Sequence, residues 1–395
     1  MKKISRSILA PIEAVLARGK SVLLLGPRQV GKTTLLAELA PTLTLSLARP
    51  ALRQQYERDI EAFSQEIEAL AQKSAKPPLV AVDEIQKIPD LMDAVQDLID
   101  RNIAQFVLTG SSARKLRTHH QINWLPGRVI YFHMDPLSMT EMPHDHLDVT
   151  ELLIYGSLPG IVVEKNNAMK EQDLRSYVIT YLEEEIRQEA LVRKIGDFAR
   201  FVELAAAESG QISNFNRLSQ DIGVAQTTIA AYYQILEDCL IAERIDPILM
   251  SHKIRRRLVK SPKYLLFDLG IRRIAAREGV NLPEEIMGKL FEQWIGLEIL
   301  RWIRIHDSRA RLNYWRDLEG REVDWVIQMA NQLLPIEVKW TKRPTLKDAR
   351  YLKLFLNDYE IQRGYIICRC DKVRQLDEQI IALPWQQLAD VFQYF

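Results

Sequence analysis

Residues 21–40 read Ser-Val-Leu-Leu-Leu-Gly-Pro-Arg-Gln-Val-Gly-Lys-Thr-Thr-Leu-Leu-Ala-Glu-Leu-Ala, and this stretch decides the fold of the first third of the chain. A strand-like apolar run, 21–25, enters a complete G-x4-G-K-T turn, and a helical run from Thr34 to Ala40 leaves it. That context is what a phosphate-cradling loop needs. The glycines let successive backbone N–H groups turn toward one anion, and the helix start adds its positive dipole end. Gly26, Pro27, Arg28, Gln29, Val30, Gly31, Lys32, Thr33 and Thr34 are therefore the candidate contacts for ATP. Lys32 would reach the β- and γ-phosphates, and the Thr33 hydroxyl would be a ligand of Mg2+.

The pattern continues outward from that loop. Residues 79–84 (Leu-Val-Ala-Val-Asp-Glu) form a buried-strand run ending in two carboxylates, a Walker B pattern. Asp83 is the candidate magnesium ligand and Glu84 the group that polarises the attacking water. The run Phe106–Thr109 ends in Gly110-Ser111-Ser112, where a polar side chain can contact the γ-phosphate or the water; Ser111 is the first candidate, with Thr109 and Ser112 beside it. Gly127-Arg128 offers a guanidinium that serves either as an arginine finger across a subunit boundary or as a salt bridge. Further strand-like runs at 43–47 and 129–133 alternate with helical spacing at Leu52 to Lys73 and Asp90 to Arg101, which predicts a parallel α/β sheet over residues 1–148.

Composition fits several folded domains. The 395 residues are 47% hydrophobic and 27% charged, and 53 basic against 52 acidic side chains leave a formal charge of +1, so a nucleic-acid surface must come from local clustering. Three cysteines (Cys239, Cys368, Cys370) without ligand spacing support neither a disulfide framework nor a zinc site, and fit a reducing cytoplasm. No signal peptide or membrane-spanning run is visible. His119, His120 and the other histidines lack metal-ligand spacing and read as surface-loop residues.

GPRQVGKTTLL, AVDEIQKIPDL, LTGSSARKL, the Gly127-Arg128 pair, DPLSMTE and YGSLPGIV, all within residues 20–160, together resemble the AAA+ ATPases of bacteria and archaea that carry a C-terminal domain of unknown function. The resemblance extends over nearly the whole chain. It implies an α/β protein with an ATP-binding P-loop core of the ASCE or AAA+ kind, a helical lid and winged-helix middle, and a C-terminal α/β module similar to PD-(D/E)XK nucleases of the restriction-endonuclease kind. It also implies sensor 1 as the role of Ser111. A sensor 2 arginine of the usual kind is not identifiable, and a homo-oligomer is left open.

The residues of the middle and end agree with that outline. After a helical linker at 149–210, the region 211–280 contains two helical runs, Phe215 to Ile222 and Gln226 to Asp238, around a turn at Gly223, the spacing of a helix-turn-helix. Strand-like runs at Leu240 to Ile245 and Lys263 to Asp268 flank a basic stretch, 252–263, with six Lys or Arg and no acid. That stretch reads either as a wing that neutralises DNA phosphates or as a solvated face. In 281–395, Asp324 and the Glu337-x-Lys339 unit fall on two apolar strands separated by a loop at Asn331, and alternation puts Glu337 and Lys339 on one sheet face. With Glu292 on the preceding helix, these residues match the PD-(D/E)XK pattern: Asp324 and Glu337 as metal ligands, Lys339 to orient or activate the nucleophile. Trp302, Trp315, Trp325 and Trp340 could stack on bases, but their strand and helix positions favour core aromatics. The functional expectation is an ATPase coupled to a magnesium-dependent, DNA-binding nuclease-like domain. The alternative is a nucleotide-controlled binding switch whose nuclease-like domain holds a protein or nucleic-acid partner without cutting.

Overall fold

The five apolar runs of the first third become five strands: β1 (Ser21–Leu25), β2 (Leu43–Ser46), β3 (Leu79–Asp83), β4 (Gln105–Gly110) and β5 (Val129–His133). They come from a computed structural model that describes residues 4–113, 127–143, 147–185, 195–248, 258–306 and 309–394. Every pairing is parallel, in the order β2-β3-β4-β1-β5. β4 therefore lies between the strand that feeds the glycine-rich loop and the strand that ends in Asp83. A parallel sheet brings the C-terminal ends of all its strands to one edge, so the loops after β1, β3 and β4 gather there.

Helices cover both faces, as a buried parallel sheet requires. α3 (Pro50–Arg58), α4 (Ile60–Ala71) and α5 (Leu91–Asp100) bring Tyr56, Phe63, Ile67, Val95 and Leu98 against Leu23, Val82 and Phe106. On the other face α1 (Leu9–Ala17) and α2 (Lys32–Glu38) share a core with Tyr177, Phe198 and Phe201 of the helical middle. The spacing at 52–73 suggested one helix, but the structure has two. Asp59 is extended (φ −144°, ψ 90°) and its carboxylate accepts the Ala62 N–H at 3.2 Å, so a side chain that can cap a helix ends one and starts the next.

The middle is helical at Val149–Tyr155, Pro159–Val163, Asn167–Tyr177, Ile195–Ala207, Phe215–Ile222 and Gln226–Asp238, with a π-helical stretch at Val178–Glu185. The last two α-helices have the bounds that the spacing predicted, and Gly223 between them takes the left-handed conformation. β6 (Ala242–Ile245) and β7 (Lys263–Leu266) follow as an antiparallel pair. Residues 252–257 of the basic run, with Arg255, Arg256 and Arg257, lie outside the described residues, as do His119 and His120. The YGSLPG segment (155–160) and the FDLG segment (267–270) clasp one another. Asp268, fully buried, accepts the Ser157 N–H at 2.7 Å and the Ile271 N–H at 3.1 Å. A Cβ on Gly156 (φ +76°) would stand 2.1 Å from Asp268 Oδ1, and one on Gly270 would stand 2.1 Å from the Tyr155 carbonyl oxygen. Only glycine allows that approach.

The C-terminal part begins with the 23-residue helix Glu284–His306. β8 (Arg311–Arg316), β9 (Glu322–Met329) and β10 (Gln332–Lys339) follow as an antiparallel run, then the helix Arg350–Asp358, β11 (Gly364–Cys368), β12 (Arg374–Gln375) and β13 (Ile380–Pro384). The sheet order is β12-β13-β11-β10-β9-β8, with β11 parallel to β10 and to β13. Phe291, Trp294 and Ile295 of the long helix pack on one face with Trp325 and Ile336. Leu352 and Phe355 pack on the other with Trp315, Val326 and Ile366. Trp315 and Trp325 are fully buried core aromatics. Leu137, Met139, Leu152 and Leu153 join the first of these cores, so the end of the first sheet domain is continuous with the C-terminal one. Among the described residues no helix is long and apolar enough to cross a membrane.

Candidate functional site

The loop after β1 turns as its sequence requires. Gly31 has φ 100° at the start of α2, and Gln29 also takes a positive φ, 62°, which for a residue with a Cβ marks local strain of the kind found at binding loops. The Lys32 side chain folds back beneath the loop: Nζ donates to the carbonyls of Gly26 and Pro27, both at 2.8 Å. Burial pulls its pKa down to about 8, with Glu84 and Asp83 opposing. A lysine held this way is an anion receptor, because a phosphate would restore the charge that burial penalises. Arg6, 24 residues upstream of Val30, braces the loop from behind. Its guanidinium donates to the Val30 carbonyl at 2.5 Å and to the Asp135 carbonyl at 2.7 Å, and its Nε lies 3.2 Å from Glu141.

The two acidic residues after β3 have different surroundings. Asp83 accepts the Thr109 hydroxyl at 2.5 Å and makes longer contacts, at 3.5 Å, with the hydroxyls of Thr33 and Ser46. A carboxylate ringed by hydroxyls is an all-oxygen donor set, suited to a hard cation such as Mg2+. Glu84 sits in the left-handed region (φ 62°, ψ 43°), which turns its side chain out of the strand. It accepts the Ser111 hydroxyl at 3.1 Å and the Gln86 amide, and that amide also reaches Ser111 Oγ at 3.1 Å. Ser111 thus belongs with Glu84, and Thr109 with Asp83.

Gln86, 2% exposed and with its buried Oε1 lacking a partner among the described residues, was missed in the sequence. An amide two residues after the carboxylate pair was the available signal. Arg28 stands over the Tyr181 ring at 5.3 Å, the Tyr177 hydroxyl donates to the Arg28 carbonyl at 3.4 Å, and the Tyr181 hydroxyl donates to the Ser111 carbonyl at 3.2 Å. One helical segment therefore touches two of the three loops. Arg128 is not brought to this edge. It precedes β5 at the opposite end of the sheet, where its guanidinium grips Asp100 at 2.5 and 2.9 Å. Within the chain it makes the salt-bridge alternative.

A second group forms where the long helix crosses β9 and β10. Trp325 Nε1 donates to the Glu292 carbonyl at 3.0 Å, which seats that helix turn over the sheet. Asp324 accepts the Val338 N–H at 2.7 Å, and Lys339 Nζ lies 2.5 Å from Glu337 Oε1, as strand alternation predicted. Glu322 joins them from β9, and Lys263 arrives from β7, its Nζ 3.0 Å from Glu292 and 2.6 Å from Glu322. Burial pushes Asp324 well above the usual carboxylate range, reinforced by Glu337 and Glu292; burial also pushes Glu337 up to about 7, against the pull of Lys339. Glu337 Oε2 is buried and has no hydrogen-bond partner among the described residues. Four carboxylates stand against the Lys263 and Lys339 ammoniums and the Arg316 guanidinium, whose Nη1 donates to Glu322 Oε2 at 2.9 Å, and this all-oxygen donor set fits a divalent cation. Glu322 and Lys263 were not singled out in the sequence as members of this group, because their roles depend on contacts across strands and domains.

The expectation of surface-loop histidines fails at His133, whose side chain is 7% exposed beside Asp135 and Glu243. Its neighbours come from β6 and the long helix, which no local pattern foretells. Arg304 bridges both carboxylates at 2.5 and 2.6 Å, so a guanidinium already balances that cluster.

Residues 18–143 match the AAA domain family, residues 146–281 a domain of unknown function (DUF8612), and residues 287–388 another domain of unknown function (DUF4143). Two proteins of 27% identity align over 97% of this chain and 84% of their own length: the uncharacterized protein Rv2008c of Mycobacterium tuberculosis and the uncharacterized protein Mb2031c of Mycobacterium bovis. The crystal structure of protein VC1899 from Vibrio cholerae aligns over 95% of this chain and 96% of its own at 14% identity, with a TM-score of 0.20, too low to bear on the fold. The AAA match and the five-stranded parallel sheet support a nucleotide-binding, AAA-type P-loop ATPase domain in the first third of the chain.

Proposed function

We propose that the chain binds and hydrolyses ATP at the edge of the first sheet and uses the nucleotide state to control a magnesium-dependent, nuclease-like C-terminal domain that acts on DNA. The observation that carries this reading is the convergence of Lys32, Asp83, Glu84 and Ser111 from three loops on one sheet edge. Lys32 exchanges its two carbonyl partners for β- and γ-phosphate oxygens. Thr33 and Asp83 hold the metal ion, and Glu84, kept in place by Gln86 and Ser111, orients and polarises the attacking water. Magnesium, when bound, neutralises charge on the phosphate oxygens. The Tyr177–Tyr181 segment, bonded to the loop at Arg28 and to Ser111, carries changes at that edge into the helical middle.

In the C-terminal domain, the order helix, three antiparallel strands, helix, parallel strand supports a PD-(D/E)XK reading, with Asp324 and Glu337 as metal ligands, Glu292 completing the acidic group and Lys339 orienting the nucleophile. The helix-turn-helix and the β6–β7 pair are the proposed DNA grip, a winged helix. The binding-switch alternative is favoured by one observation: the Lys263 ammonium already neutralises part of the acidic group, so the module can stand folded without metal. A nicking assay on supercoiled DNA, with magnesium and with or without ATP, separates the two. The nuclease reading expects cleavage by the native protein and none by Asp324→Ala or Lys339→Ala. No cleavage of any DNA form under varied metal and nucleotide would leave the switch.

A further inference from the structure

Three members of the C-terminal charged group have no part in the proposed hydrolytic machinery: Glu322, Lys263, and Arg316, which pairs with Glu322 Oε2 at 2.9 Å from the strand beside it. Lys263 is the first residue of β7, outside the domain whose carboxylates it meets, and it is 2% exposed. Its ammonium lies within hydrogen-bond distance of Glu292 and Glu322 and stands over the rings of Tyr314 and Trp325 at 5.1 and 5.0 Å. Oxygens of Glu292, Glu322 and Asp324 all lie within 4.8 Å of one another, a spacing that one cation can bridge. Glu337, 5% exposed, adds to the same group a buried Oε2 that has no partner among the described residues.

We propose that Glu292, Glu322 and Asp324 form a second cation position beside the Asp324–Glu337 pair, and that the Lys263 ammonium is its resident cation, supplied by the winged-helix region in place of a second metal ion. An all-carboxylate donor set is what magnesium or manganese takes. An ammonium in that position makes hydrogen bonds and cation–π contacts that a divalent ion would not, and it cannot diffuse away. The backbone of Lys263 is held on both sides, by Ile245 across β6 and by Ile212. The consequence is a site that loads one divalent ion where its carboxylates alone would load two. The inference rests on the metal-site reading only for the Asp324–Glu337 position.

The test is calorimetric titration of the full-length, nucleotide-free protein with Mn2+, together with melting curves with and without Mn2+. Lys263→Met is expected to take up one more ion per chain than the native protein and to gain more in Tm from Mn2+. Adding Glu322→Gln should remove the extra ion, and Lys263→Arg should keep the native count. Should Lys263→Met fail to fold alone, Mn2+ present during refolding must restore a native-like melting transition. Equal counts for native and Lys263→Met, an extra ion indifferent to Glu322→Gln, or no recovery with Mn2+ would each overturn the inference while leaving the native metal position standing. A native protein that takes no ion here, beside a Lys263→Met protein that takes one, would instead uphold Lys263 and refute the Asp324–Glu337 position.

Discussion

Lys32 titrates at about pH 8 in the free protein, and that makes nucleotide binding pH-dependent in a predictable direction. Burial lowers its pKa from 10.5 to about 8. A bound triphosphate adds negative charge beside Nζ and raises the pKa again, so the complex holds the proton more tightly than the free protein does. The sign follows: binding takes up protons, and affinity falls as pH rises through about 8. If the complex keeps Lys32 fully charged, uptake is about 0.1 proton per nucleotide at pH 7, about 0.5 at pH 8 and about 0.9 at pH 9. The same linkage weakens binding by about tenfold between pH 7 and pH 9. Calorimetry in buffers of different ionisation enthalpy measures both quantities, and Lys32→Arg, which stays charged throughout, should lose the pH dependence. Uptake of zero at pH 8 with flat affinity from pH 7 to pH 9 would refute the placement of Lys32 beneath the phosphates.

Two further outcomes follow. Glu84→Gln should bind ATP as the native protein does and lose roughly 10²- to 10⁴-fold in turnover, the usual contribution of a positioned base; equal turnover would remove Glu84 from that role. Gly156→Ala puts a methyl group against Asp268 at a positive φ, and the expected loss is roughly 2–4 kcal/mol, read as a lower Tm; an unchanged Tm would mean that the clasp between residues 155–160 and 267–270 is not tight in solution.

What could be read in advance divides along physical lines. β1, β3 and β4, the glycine-rich turn, the Asp83-Glu84 pair and the Glu337-x-Lys339 alternation are set by residues close in sequence, so periodicity and turn chemistry expose them. The break at Asp59 was also local, but a helical period on either side hid a capping aspartate. The remaining residues act across distance. Arg6 reaches Val30 from upstream of α1, Gln86 turns under Ser111, and Lys263 crosses from β7 to Glu292 and Glu322. The clasp of Asp268 with Gly156 joins segments 112 residues apart, so neither segment alone reveals it. Arg128 was open between an arginine finger and a salt bridge, and the structure pairs it with Asp100 at the far end of the sheet.

The central claim is that a triphosphate sits against the amides of residues 26–33. Its most direct measurement is titration of the full-length protein with ATP in the presence of magnesium, beside a folded Lys32→Ala variant. Saturable uptake of one ATP per chain by the native protein, lost in the variant, is the predicted result. No uptake by properly folded native protein, or equal affinity in the two, would contradict it.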